Sequence, residues 1–165
     1  MILGLSLSTF TTVHVIISLI GIFSGFIVLY GMLNGSRLDW WNTLFLATTV
    51  LTSVTGFFFP LSGFTPAVIF GIISLVVLAI AIAALYAFRL GGPWRWVYVV
   101  TVLLALYLNT FVGVVQSFQK IGFVHALAPN GSEPPFAIAQ LLVLAIFLWL
   151  GYRVVKDFRP HPMVR

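Results

Sequence analysis

The chain has 165 residues, of which 61% are hydrophobic and only 7% charged, against roughly 45–50% and about 25% in soluble domains. So few charges, with a mean hydropathy of +1.16, exclude a soluble globular domain, a disordered chain and a nucleic-acid reader. They leave a polytopic membrane protein. The net charge of +5 comes from only 8 Lys and Arg, which read as topology signals. Cysteine is absent, so disulfides, thiolate catalysis and Cys-ligated metal centres are excluded.

A span needs about 20 mostly apolar residues. Five segments qualify, which predicts an all-α integral membrane bundle of five transmembrane helices in a single domain. The first span covers 8–33 and stops at Asn34-Gly35-Ser36-Arg37. No basic residue precedes its apolar run, so it reads as a retained helix and not a cleaved signal. The second covers 41–59 and stops at Pro60. The third covers 66–88 and stops at Arg89 and the Gly91-Gly92-Pro93 breaker. The fourth covers 95–118, and the fifth, opened by Pro134-Pro135, covers 135–155. Residues 119–134 are the one sizeable loop, and 156–165 form a basic tail.

Five spans put the breaks at 34–40 and 89–94 on the same side as the tail. That side carries Arg37, Arg89, Arg95, Arg153, Lys156, Arg159 and Arg165; the other holds Lys120 alone. Short cytoplasmic loops are enriched in positive charge, so the N-terminus is expected outside and the C-terminus in the cytoplasm. Trp40, Trp41, Trp94, Trp96 and Trp149 all fall near the basic side, where indole rings anchor at headgroup level.

Helices in lipid associate through small residues. Gly21 and Gly25 form a GxxxG, and His14 and Ser18 share their face at helical spacing. The second span is rich in Thr, whose hydroxyls can bond the preceding turn and need no further partner. Gly71, Ser74, Ala81 and Ala84 stripe the third. The fourth carries the most polar stripe, Asn109, Gly113, Gln116 and Lys120, and the fifth has Gln140 near its outer end.

No ionisable residue lies near the middle of a span, which argues against proton pumps and ion-coupled transporters. Asp39, Glu133 and Asp157 are the only carboxylates, too few and too scattered for a hydrolase, and no serine has an acid–base partner. Two histidines are candidate ligands. His14 is expected about one turn inside the outer end of span one, and His125 follows span four on the same side. Two histidines from different helices are a usual way to hold a b-type haem. Phe10, Phe57, Phe58, Phe59, Phe64, Phe118 and Phe123, with Gly56 and Gly122, would suit a porphyrin. Depth is the difficulty: His14 lies about 7–9 Å inside, so one haem requires the loop to fold back. His161 falls on the opposite side.

In the outer loop, Pro129, Pro134 and Pro135 add stiffness, and Asn130-Gly131 marks a turn. Lys120 and Glu133 are the only opposite charges there, so they are expected to make at most a solvated ion pair. The loop reads either as a docking surface for a larger protein or as a lid over a pocket. That pocket would be lined by His14, Gln116, Gln119, His125 and Gln140. Amide and imidazole donors between aromatic walls are what the carbonyls of a quinone headgroup need.

The stretches TTVHVIISLIGIFSG, TSVTGFFFP and HALAPNGSEPPFAIAQ resemble a group of small multispanning bacterial inner-membrane proteins. The likeness covers most of the chain. It implies a compact bundle in the bacterial inner (cytoplasmic) membrane and carries no activity or catalytic residue with it. A looser likeness to cytochrome b561-type haem-binding bundles rests on outer-side histidines and helix count. Such bundles carry two histidine pairs, and here only one is possible.

The expected function is a non-enzymatic bundle that binds an apolar or redox ligand near the outer face, or an accessory subunit of a membrane complex or homo-oligomer. A haem or quinone electron-transfer module using His14 and His125 is the alternative. A transporter of a neutral or lipid-like solute comes third.

Overall fold

The computed structural model of the chain describes residues 1–60 and 63–160. Helix α1 runs Leu7–Leu33, α2 Asp39–Gly56, α3 Pro66–Ile82 with a π-helical continuation over Ala83–Ala87, α4 Trp94–Lys120, α5 Gly122–His125 and α6 Pro134–Asp157. No strand is formed among the described residues; Ile2 and Leu5 make one isolated bridge. Four helices are long and apolar enough to cross a membrane: α1, α3 with its π segment, α4 and α6. Helix α2 falls short in apolarity: its 18 residues include five Thr, with Asp39 and Asn42 near its start.

The helix limits follow local chemistry. The Ser6 hydroxyl accepts from the backbone N–H of Thr9 at 3.1 Å and caps α1. Helix α1 ends in a Schellman motif, with Gly35 at φ +69°, its N–H on Met32 O at 3.1 Å and that of Ser36 on Gly31 O at 2.9 Å. Pro66 and Pro134 open α3 and α6, where a missing N–H costs nothing. Between α3 and α4 the chain turns through Arg89 and Leu90 at positive φ. That turn stacks Phe88 on Trp94, ring centroids 3.8 Å apart.

The helices close a ring in the order α1, α2, α3, α4, α6 and back to α1, and α4 also leans on α1. Helix α4 is the hub, contributing buried Tyr98, Val99, Val102, Ala105 and Leu106 to the core. Gly25 is where three helices meet: a Cβ there would lie 2.5 Å from Leu106 Cδ1 and 2.9 Å from the Phe45 ring. Gly21 lies against Thr48 and Thr49, and Gly113 against Ile22 of α1. The GxxxG therefore faces its own neighbours α2 and α4.

All connections on one end are basic. Arg95 donates to the carbonyls of Val155 and Phe158 and ties the start of α4 to the end of α6. Arg37 pairs with Asp39, and Arg153 with Asp157 at 3.2 Å. Inside this end the Tyr98 hydroxyl donates to Asn42 Oδ1, both buried. Of the tryptophans here, Trp40, Trp96 and Trp149 are exposed, as interfacial anchors are, whereas Trp41 and Trp94 pack partly against the core. His161 and Arg165 lie outside the described residues.

Candidate functional site

The end opposite the basic one gathers the start of α1, the end of α2 and the end of α4. His14 is half-buried on α1. Its Nδ1 lies 2.8 Å from Thr55 Oγ1 of α2. Phe59 stands edge-on to the imidazole with centroids 5.1 Å apart, and Phe10 packs edge-on against Phe59 at 5.1 Å. Gly56 lies beside the ring: a Cβ there would make only ordinary contact with His14 Cε1, at 3.9 Å.

The hydrogen bonding decides the tautomer. A hydroxyl has one proton, and that of Thr55 goes back to its own helix, 2.6 Å from Leu51 O. With that proton on Leu51 O, Thr55 Oγ1 accepts from His14, an arrangement in which the neutral ring carries its proton on Nδ1 and presents Nε2 as a lone pair. The second turn of α1 thus holds an imidazole acceptor against two phenylalanines.

Helix α4 supplies the neighbouring wall. Its Asn109 donates to Thr49 Oγ1 at 3.3 Å, and Gly113 touches Ile22, so the stripe at Asn109, Gly113, Gln116 and Lys120 faces α1 and α2 by register. Gln116 and Lys120 are exposed at its outer end, and the Lys120 ammonium is within electrostatic range of His14. Among the described residues no carboxylate pairs with Lys120.

The remaining expected pocket residues make contacts of their own. Gln140 is buried, and its Nε2 donates to Phe111 O at 3.2 Å. The Phe111 ring stacks on Phe70 of α3 at 5.3 Å. Gln140 Oε1 is buried without a partner. The exposed His125 closes the short α5, and its Nδ1 meets Phe118 O at 2.9 Å. A carbonyl only accepts, so His125 too carries its proton on Nδ1, and it satisfies a last-turn carbonyl of α4. No hydrogen bond or ring contact joins His14 to His125 among the described residues. Gln119 is exposed on the flank of α4.

With the Nδ1 proton of each ring engaged, His14 Nε2 and His125 Nε2 are left as acceptors, and Gln140 Oε1 is an acceptor without a partner. The exposed amides of Gln116 and Gln119 keep the donors expected for a quinone carbonyl. The expected Lys120–Glu133 pair is not formed. Glu133 instead accepts from Asn130 N at 2.9 Å, Asn130 Nδ2 at 2.8 Å and Ser132 N at 3.0 Å. The Asn130 backbone N–H is the leading cause that holds its carboxyl below the usual range. Backbone donors one to three residues away are cheaper to hold than a long lysine across the loop. Gly131 at φ +72° makes the turn, and Pro134 and Pro135 then start α6. Exposed Phe123 (77%) and Phe64 (82%) stand out from this end.

Among the described residues no group of three His, Cys, Asp or Glu is placed to hold a metal ion. The structure defines an all-helical chain with four helices of membrane-crossing length and apolarity. No family model, curated protein or solved structure matches the chain.

Proposed function

We propose that this chain is a five-span bundle of the bacterial inner membrane, with its N-terminus outside, that binds a hydroxyl-bearing apolar ligand of the quinol class beside His14. Helix α2 supports the fifth span. It runs antiparallel along α1 from Leu38 at Gly31 to Thr55 at His14, a length of about 26 Å, close to the roughly 30 Å hydrocarbon core. The positive charge gathered at one end supports a cytoplasmic C-terminus.

The single observation that carries the ligand reading is the contact of His14 Nδ1 with a Thr55 hydroxyl that lies 2.6 Å from Leu51 O. A quinol hydroxyl donates to a bare Nε2; a quinone carbonyl cannot. Gln116 and Lys120 supply donors for the same ligand's oxygen lone pairs, and Phe10 and Phe59 line the ring side. The test is thermal stabilisation of the purified protein by a short-chain benzoquinol and by the matching benzoquinone. The quinol is expected to raise Tm more than the quinone at pH 8, and His14→Ala to abolish the difference. Equal or greater stabilisation by the quinone sinks this reading.

A second reading, accessory subunit of a larger membrane complex, is favoured by the exposed Phe123, Leu127 and Phe64. Large apolar side chains outside the helical spans suit a protein partner. It predicts co-purification with that complex in mild detergent, lost in a Phe123→Ser, Leu127→Ser double variant. The two readings are compatible, since a small subunit can hold a quinol for a larger partner. The haem alternative is distinguished by a reduced-minus-oxidised visible spectrum, which is flat for a quinol binder.

A further inference from the structure

We infer that the groove between α4 and α6 at the basic end seats one anionic phospholipid, its acyl chain in the groove and its phosphate on Lys156 and Arg159. This site is independent of the one at His14 and lies toward the other end of the bundle. The groove has a volume of about 360 Å³ and is walled by Val100, Leu104 and Tyr107 on one side and Leu144, Leu148 and Val155 on the other. Gly151 forms its floor: a Cβ there would already lie 3.5 Å from Leu103 Cδ1 across the helix contact, so any larger side chain would fill the space.

Length and charge identify the occupant. From Leu144 to Val155 the groove runs about 16 Å along α6, matching one leaflet of a roughly 30 Å hydrocarbon core. It begins at the basic end and stops near mid-membrane. At its mouth, exposed Tyr152 lies on α6 and exposed Trp96 one turn before Val100 on α4, the residue types that sit at headgroup level. The neighbouring cations divide into two sets. Arg95 is held on backbone carbonyls, and Arg153 is held by Asp157 and the Trp149 ring. Lys156 follows Val155, and Arg159 lies four residues beyond it; both are exposed with no acidic partner among the described residues. An apolar slot ending at two uncommitted cations fits an anionic glycerophospholipid. A second copy of the chain seated groove to groove would instead bring like-charged rims together.

The test is native mass spectrometry of the full chain in non-ionic detergent with dioleoyl phosphatidylglycerol and dioleoyl phosphatidylcholine, which share acyl chains and differ in headgroup charge. Each cation near the phosphate is expected to contribute about five-fold, giving a preference for the anionic lipid of about 25-fold. Lys156→Gln with Arg159→Gln should bring the two lipids to parity. Gly151→Leu should lower retention of both; if that variant does not fold, Leu148→Trp narrows the groove from an exposed position on its wall and is read in the same way. Equal retention of the two lipids by the wild-type chain overturns the proposal. So does a preference that survives the double charge variant, or lipid retention unchanged by both groove variants. A concentration-dependent dimer that Gly151→Leu abolishes also overturns it, because the occupant is then a second copy.

Discussion

Gly25→Ala gives the sharpest test of the packing, because the same substitution at Gly113 should have the opposite sign. At Gly25 the new methyl would sit 2.5 Å from Leu106 Cδ1 and 2.9 Å from two carbons of the Phe45 ring. Ordinary carbon contacts are about 3.5–4.0 Å, so the neighbours must give by about 1 Å. Leu106 and Phe45 are both fully buried, which leaves them no empty space to enter. Overpacking of this kind costs about 1–3 kcal/mol. Replacing helical Gly by Ala returns up to about 1 kcal/mol. The net expectation is a loss of up to about 2 kcal/mol. At Gly113 the added methyl would meet only Ile22 Cδ1, at 3.4 Å, so the helix gain dominates and the variant should be neutral or more stable by up to about 1 kcal/mol. Unfolding in mixed micelles with rising SDS, followed by tryptophan fluorescence, reads both variants against the wild type. Gly25→Ala as stable as Gly113→Ala would refute the crossing of α1, α2 and α4 at Gly25.

Further outcomes follow from the polar contacts. Tyr98→Phe leaves Asn42 Oδ1 buried without its donor and should cost about 1–3 kcal/mol in the same unfolding assay; the additional change Asn42→Leu should recover part of it, and no loss in the single variant would count against the buried pair. Gln140→Leu removes one weak bond, worth about 0.6 kcal/mol in membranes, together with an orphaned acceptor, so stability should hold or rise; a clear loss would mean that Oε1 has a partner. Glu133, with its folded pKa depressed, should add local order to the 130–133 turn that is complete above the ordinary glutamate range and lost as pH falls through the folded value. A carboxyl carbon titration by NMR should place its midpoint below that of a glutamate in a model peptide, and a midpoint at or above the peptide's would contradict the loop geometry.

Hydropathy alone located the long helices, because an apolar run has few alternatives in lipid. Its errors are at positions decided by contacts distant in sequence. Helix α2 begins at Asp39, ahead of the expected span, and ends at Gly56, three residues short of it. Phe59 turns back over His14, a pairing 45 residues away that no local pattern encodes. Helix α4 runs on to Lys120 because nothing between Phe118 and Lys120 breaks it. The π segment at Ala83–Ala87 has no Gly or Pro to announce it; the extra residue per turn is absorbed where Ala84 and Leu85 bury against the core.

For the candidate site, the residue types were legible and their hydrogen-bond roles were not. His14 stood out as a polar residue on a small-residue face, but its tautomer depends on Thr55, 41 positions on. Gln140 was expected in the same pocket because it shares the outer end. Which way it points depends on the rotation of α6 against α4, which brings its Nε2 to Phe111 O, 29 positions back. Only a three-residue spacing signalled that Glu133 could reach Asn130. Thr55 was read as one of several self-satisfied threonines; four residues after Leu51 and opposite a histidine, it orients the imidazole.

The ligand at His14 is tested most directly by mass spectrometry of an organic extract of the protein purified from native membranes. The wild-type chain should carry a quinone or quinol at close to one per chain, and His14→Ala should lose it while His125→Ala keeps it. Extracts with no such compound above the detergent background, equal content in the His14→Ala variant, or haem b in its place would contradict the account.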